Sequence, residues 1–124
     1  MTGSQLLNNS LKILGYTDQN GNEQLTAGIR NSAVMNINLI YSDLWRITNE
    51  SDTPFVPINS LSDTVDLPDD VLYDVFPYGL CMHIARSEND GDQQQFYTSL
   101  YNQKRLSLSK FNTIEDSFIG SGDL

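Results

Sequence analysis

One stretch of the sequence decides the fold: 23-EQLTAGIRNSAVMNINLIYSDLWRI-47. Its apolar residues recur every three or four positions, which is the period of an amphipathic helix. They are Leu25, Ile29, Ala33, Ile37, Ile40, Leu44 and Ile47. At 1.5 Å per residue the predicted helix is about 36 Å long, more than a compact domain of this size needs. The stretch therefore predicts the spine of a helical bundle.

Two further helices are predicted from local start and stop signals. The first covers residues 4–14, with Ser4 as its N-cap and Gly15 as its stop. The other begins at Pro68, a proline of the type found at the first helical position, and two aspartates follow it. Pro77 is expected to kink or restart this helix, because proline cannot donate the backbone hydrogen bond. Apolar residues on most of its faces predict a central, buried helix.

A fourth helix is predicted over residues 93–110, after an N-cap at Asp92. The segment 111–124 is too apolar for a plain disordered tail and too irregular for a helix, so we expect an extended C-terminal tail. Its apolar residues are Phe111, Ile114, Phe118 and Ile119. The prediction is thus an all-α fold: a four-helix domain over residues 1–110, followed by this tail.

A long central loop is predicted between the second and third helices, over residues 48–67. Pro54 and Pro57 exclude a helix there. The pair Phe55-Val56 and the alternating pattern of 62–67 allow short strands or a hairpin. A loop of this length in a chain of 124 residues is usually functional or mobile.

Composition excludes several classes of protein. The single cysteine, Cys81, rules out a disulfide within the chain, and the single histidine, His83, rules out most metal sites and acid–base relays. On a helix these two residues lie about 200° apart, so core packing is the better interpretation. No stretch has the length of a membrane span or the pattern of a signal peptide. We therefore expect synthesis in the cytoplasm and no membrane partner.

The net charge of -9 comes from the middle of the sequence, where residues 48–95 hold ten acidic residues and one base. A surface of this kind repels phosphate. The candidate functional acids are Asp63, Asp66, Asp69 and Asp70. A solvated acidic loop and helix start is the simpler interpretation. Asp69, Asp70 and Asp74 resemble a carboxylate cluster for magnesium, but no basic, histidine or glycine-rich partner accompanies them. No phosphate loop, dinucleotide fingerprint or zinc spacing occurs, so neither an enzyme nor a cofactor is expected.

The only basic pair is Lys104-Arg105, at the end of the fourth predicted helix. Two residues make a poor nucleic-acid patch, and solvated helix surface and contact with an acidic partner surface both remain open. Six tyrosines and one tryptophan indicate interfaces weakly, since aromatic residues bury much area at low entropic cost. For Tyr41 and Trp45, one helical turn apart, core packing is the simpler alternative.

Several short sequence motifs occur in an order that resembles the small head-tail connector (adaptor) proteins of bacteriophages. They are 14-LGYTD-18, 38-NLIYSDLW-45, 63-DTVDLP-68, 74-DVFPYGL-80, Ala85, 91-GD-92 and 96-FYTSLYNQKR-105. Together they cover roughly residues 11 to 105. The resemblance does not extend to the last twenty residues.

This resemblance implies a structural virion protein that forms a ring, of about twelve copies, between the portal and the tail. It implies that the C-terminal segment docks on the portal protein and that the remainder supports the next connector, stopper or tail protein. The four candidate acids would line a channel through which the genomic DNA passes without specific binding. The alternative is an acidic regulatory or DNA-mimicking module that occupies a basic site. A carboxylate-metal enzyme is a third, weaker alternative.

Overall fold

The structure is a computed structural model that describes residues 1–17, 25–49 and 52–120, with side chains as far as Leu108. The described part is all-α, as predicted, with five helices and no named strand. They are α1 Gly3–Leu14, α2 Ala27–Thr48, α3 Asp69–Asp74, α4 Phe76–Ser87 and α5 Gly91–Gly120. None of the helices in these ranges has both the length and the apolarity that crossing a bilayer requires.

The central helix is α4, which contacts each of the other four helices. Seven of its twelve residues are buried, in keeping with the apolar pattern on most of its faces. The long helix α2 packs along α4 and also touches α1 and α5. The prediction of a central, mostly buried helix in this part of the sequence is therefore confirmed by α4, and α2 is a longer helix packed along it.

The first two helices begin at threonines that sequence reasoning did not identify as caps. The hydroxyl of Thr2 accepts the backbone N–H of Gln5, and the Gln5 side chain accepts the backbone N–H of Thr2. This reciprocal pair is a capping box, so the predicted cap at Ser4 is wrong. Thr26 caps α2 through the N–H of Ile29, which places its start four residues after the predicted one. The stop at Gly15 is confirmed, with a left-handed φ of 79°.

The predicted third helix is divided into α3 and α4 by a break at Val75. Pro77 stands in the first turn of α4, where its missing N–H costs nothing because that turn has no intrahelical acceptor. The restart that Pro77 predicted is confirmed. Val71 and Leu72 of α3 are buried.

The segment 52–68 lies outside the helices and is tied to α1 and α2. Asn38 holds it through both amide atoms, which bond the backbone oxygen and nitrogen of Ile58 at 2.9 Å each. Thr64 forms an isolated antiparallel bridge with Thr2. Within the described residues this segment forms no hairpin. Its conformation is fixed by the helices beside it.

Side chains of α2 and α5 pack tightly against α4 at Gly79. A Cβ atom placed on this glycine would lie 2.7 Å from Cδ1 of Ile40 and 2.9 Å from Cε1 of Tyr101. Carbon atoms in contact are normally about 3.5–4.0 Å apart. The absence of a side chain at Gly79 therefore permits this three-helix crossing.

The last helix differs from its prediction at both ends. Its first turn is capped by Asp90, whose carboxylate accepts the backbone N–H of Gln93, and not by Asp92. It then continues to Gly120, ten residues past the predicted end. The extended conformation predicted for 111–124 is thus replaced by helix as far as Gly120, and residues 121–124 lie outside the described part. The side chains of Phe111, Ile114, Phe118 and Ile119 also lie outside the described set.

Candidate functional site

The four candidate acids lie along one segment, from the turn before Thr64 to the first turn of α3. Asp63 is built into the turn, because its Oδ2 atom accepts the backbone N–H groups of Asn59 at 2.8 Å and of Ser60 at 3.1 Å. These two bonds hold the pKa of the Asp63 carboxyl below its usual value, with the Asn59 bond as the larger cause. Asp63 therefore has a structural role in this turn.

The other three acids present their carboxylates to solvent. Asp66, Asp69 and Asp70 are all exposed. The backbone N–H of Asp66 donates to the hydroxyl of Tyr41 at 3.0 Å, which fixes the segment against α2. Asp69 and Asp70 occupy the first turn of α3, where the positive end of the helix dipole favours negative charge. This end of the bundle is a rigidly supported acidic surface.

The acidic stretch of the sequence is divided between the two ends of α4. Glu88 and Asp90 follow that helix and lie at the opposite end from Asp66. Both accept a hydrogen bond from a side chain of another segment. Glu88 accepts one from the hydroxyl of Thr26 at 2.7 Å, and Asp90 accepts one from the phenol of Tyr16 at 3.3 Å. The acids of the loop and α3 are therefore a separate surface from those around Asp90.

A cluster of aromatic side chains packs between α2 and the segment that precedes the acidic surface. Tyr41 and Trp45 of α2 meet Phe55 edge-on or tilted, with ring centroids 4.9 Å apart for Tyr41 and 6.5 Å apart for Trp45. The indole nitrogen of Trp45 donates to the backbone oxygen of Thr53 at 3.3 Å. Tyr41 is buried, but Trp45 keeps part of its ring accessible. Trp45 is thus both a core residue and part of the surface.

The basic pair of the sequence is used within the chain. Arg105 binds Asp43 through two bonds, Nε to Oδ2 at 2.6 Å and Nη2 to Oδ1 at 2.9 Å. Lys104 pairs with Asp74 at 2.8 Å and stands 5.2 Å from the ring centre of Tyr78. The pair joins α5 to α2 and α3, so it is more than solvated helix surface. Contact with an acidic partner surface stays a prediction.

Asp43 receives a third bond, from the hydroxyl of Tyr101 at 2.7 Å. Burial alone would raise the pKa of Asp43, but the bonds from Arg105 and Tyr101 outweigh it and lower that pKa below its usual value. Burial, followed by the adjacent carboxylate, raises the pKa of the Tyr101 phenol. Sequence reasoning missed this link between α2 and α5. Its only local signal is that Tyr101 and Arg105 are four residues apart on one helix.

Cys81 and His83 do not form a site together. Cys81 is fully buried, its thiol donates to the backbone oxygen of Ser10 at 3.4 Å, and burial raises its pKa to about 12. His83 is half-buried; burial, and then the charge of Arg86, lowers its pKa. Its Nδ1 atom has no hydrogen-bond partner among the described residues. In the described ranges no three His, Cys, Asp or Glu side chains are placed to hold a metal ion.

The chain matches no protein-family model, no curated protein sequence and no solved structure.

Proposed function

We propose that this chain is a structural virion protein, a subunit of a head-to-tail connector of a bacteriophage or prophage. In this proposal it forms a ring of about twelve copies between the portal and the tail and lines the DNA exit channel. Its partners are copies of itself, the portal protein and the next connector, stopper or tail protein. It catalyses no reaction and binds no cofactor. It assembles in the host cytoplasm and resides at the head–tail interface.

The observation that carries this proposal is the contact of Asp43 with Tyr101 and Arg105. Asp43 belongs to the motif 38–45, one of those that resemble connector proteins. Tyr101 and Arg105 belong to another of them, the motif 96–105, about sixty residues later. A third motif, 74–80, contributes Gly79, which packs against Ile40 of α2 and Tyr101 of α5. Three of the resembling motifs therefore meet at one place in the fold, which supports treating them as a set.

The acidic surface supports the channel role. Asp66, Asp69 and Asp70 are exposed and lie on a segment that is fastened to α2, so their charges are held in place. In a ring each carboxylate is repeated in every copy, and a channel lined in this way repels DNA phosphates and lets the genome move without sticking. Asp63 contributes chiefly by shaping the turn.

The C-terminal part of α5 is the proposed portal contact. Phe111, Ile114 and Phe118 follow the spacing i, i+3, i+7, which is the pattern of anchors in a helix that docks into a groove. Because the backbone is helical as far as Gly120, we propose docking as a helix in place of the extended tail.

Electron microscopy of the purified chain, alone and mixed with portal rings of the same virus, tests the proposal. We expect rings coaxial with the portal. A variant that ends at Lys110 should keep its helical circular dichroism and lose attachment to the portal. Unimpaired attachment of that variant would refute the docking assignment, and a chain that neither self-associates nor binds portals would refute the connector function.

A proline substitution separates the two forms of the docking segment. Thr113→Pro disrupts a helix interior at a cost of roughly 3 kcal/mol but is compatible with an extended chain. We expect it to abolish attachment, whereas Thr113→Ala, which favours helix, should preserve it. Equal attachment of both variants would show that the segment docks without helical structure.

The channel role requires a separate test in assembled particles. Replacing Asp66, Asp69 and Asp70 together by asparagine should leave rings intact and slow DNA ejection. Asp92→Asn makes the same kind of charge change at the other end of the bundle and should leave ejection unaltered. Ejection at the normal rate from the triple variant would remove the channel role while leaving the connector function in place.

The same experiments address the regulatory alternative. An acidic DNA-mimicking module would remain a monomer or dimer beside portals and would compete with DNA for a basic protein. Its binding would weaken in the triple asparagine variant, whereas ring formation would not.

A further inference from the structure

Two open grooves adjoin Trp45 and Asp66, which line both of them. The first, of about 500 Å³, lies between the end of α2 and the start of α3 and is completed by Thr48, Asn49, Leu67 and Pro68. The second, of about 470 Å³, lies between α2 and the segment 53–66. Each has the size of a cleft that accepts a long side chain with its flanking backbone.

The aromatic wall of these grooves is fixed before anything binds. Trp45 is held by its hydrogen bond to Thr53 and by ring contacts with Tyr41 and Phe55, at centroid distances of 6.1 and 6.5 Å. Part of its ring remains accessible. A preformed wall lowers the entropic cost of binding, since Trp45 does not have to be ordered.

The charge in the grooves is negative and has no counter-ion within the described residues. The ion pairs among those residues involve Asp43 and Asp74, and no Lys or Arg nitrogen of that part of the chain lies within 4.0 Å of the Asp66 carboxylate. The first groove also lies at the C-terminal end of α2, where the helix dipole places partial negative charge. An indole face beside a carboxylate favours a cation.

We propose that these grooves bind an arginine side chain presented by an extended segment of a partner protein. A guanidinium group can stack on the Trp45 ring and make two parallel hydrogen bonds to Asp66. A nucleic acid or an acidic peptide would be repelled by Asp66 and its neighbours Asp69 and Asp70. This site is distinct from the proposed portal contact, and it gives Asp66 a second role besides the channel.

A second copy of the chain fits the grooves less well. Arg30 lies fifteen residues before Trp45 on α2, about 22 Å along the axis, and Arg86 is near the same far end. Arg46 is close to the grooves, but it shares their end of the bundle with Asp66 and Asp69. Two copies that met there would bring like charges together. Charge complementarity therefore favours a different, basic partner.

Trp45 is the only tryptophan of the chain, so its fluorescence reports directly on the grooves. The probes are the capped tripeptides acetyl-Gly-Arg-Gly-amide and acetyl-Gly-citrulline-Gly-amide, which differ in charge and hardly in shape, in low-salt buffer. We expect saturable quenching by the arginine peptide and about fivefold weaker binding of the citrulline peptide. Asp66→Asn should weaken arginine binding to the level of citrulline, while Asp92→Asn, with the same loss of charge far away, should not.

Three results would overturn the proposal. They are equal binding of the two peptides, equal effects of Asp66→Asn and Asp92→Asn, and binding of the arginine peptide that weakens as the protein concentration is raised. The last would identify a second copy as the occupant. Because the measurement uses the isolated chain without portals, its failure is distinguishable from failure of the connector function.

Discussion

Replacing Gly79 with alanine tests whether the crossing of α2, α4 and α5 limits the packing of the bundle. The new methyl group would lie 2.7 Å from Cδ1 of Ile40 and 2.9 Å from Cε1 of Tyr101. Overpacking of a dense core typically costs about 1–3 kcal/mol. Alanine in place of glycine in a helix interior recovers roughly 0.8–1 kcal/mol of that cost. The expected net change is therefore a loss of up to about 2 kcal/mol in the free energy of unfolding.

Chemical denaturation of the wild type and Gly79→Ala, followed by circular dichroism, measures this loss as a lower midpoint at an unchanged slope. Gly28→Ala is the matched control, because the nearest atom to its new Cβ would be the Thr26 hydroxyl oxygen at 3.9 Å. Without a clash, that variant should be as stable as the wild type or somewhat more stable. A Gly79→Ala variant that equals the control would refute the close-packing argument.

A double-mutant cycle with Ile40→Val identifies the source of the strain. Valine lacks Cδ1, which is the atom nearest the new methyl group. Ile→Val alone typically costs about 0.5–1.5 kcal/mol. In the Gly79→Ala background the same change should cost less, or even stabilise the fold, because it removes the clash. If the effects of the two substitutions are additive, the destabilisation by Gly79→Ala does not come from contact with Cδ1 of Ile40.

Three further outcomes follow from the buried contacts. Arg105→Gln should lower the free energy of unfolding by roughly 1–2 kcal/mol, because it removes the charged partner closest to the half-buried Asp43 and leaves only Arg46 at 3.9 Å; denaturation measures the loss. The pKa of folded Asp43 lies below 3.8, so its stabilisation is present above that pH and is lost as the pH falls through the folded pKa. Asp43→Asn should therefore give a shallower fall in stability at acid pH than the wild type. Cys81, with a pKa of about 12 and no exposure, should react with iodoacetamide at pH 8 only at the rate of unfolding.

Local signals predicted those parts of the fold that depend on a few neighbouring residues. Gly15 ends α1 because only a residue that tolerates positive φ fits there, and a glycine in the sequence shows this directly. Pro77 predicted the restart of α4 because its missing N–H acts within one turn. The caps were predicted less well. Ser4 and Asp92 are as suitable chemically as Thr2 and Asp90, and only the path of the preceding chain decides between them.

The contacts that join the helices could not be predicted from the sequence. Asp43 meets Arg105 across sixty-two residues, and no spacing rule relates positions so far apart. For the same reason the acids of the middle stretch seemed to form one surface, whereas α4 separates Asp66 from Asp90. Of the four candidate acids, Asp63 proved to be a turn residue, which a single carboxylate in a polar loop does not reveal.

Composition and spacing point in different directions at the end of α5. Small and acidic residues between 111 and 120 argue against a stable isolated helix, which is why an extended tail was predicted. Yet Tyr97, Tyr101 and Leu108 are at least partly buried, and Phe111 and Phe118 continue the series along the same helix at intervals of three, four or seven residues, which are one or two helical turns. A helix already anchored by the bundle does not bear the cost of nucleation, so weak local propensity suffices to extend it. The helical backbone to Gly120 therefore alters the form of the proposed portal contact and leaves its candidate residues the same.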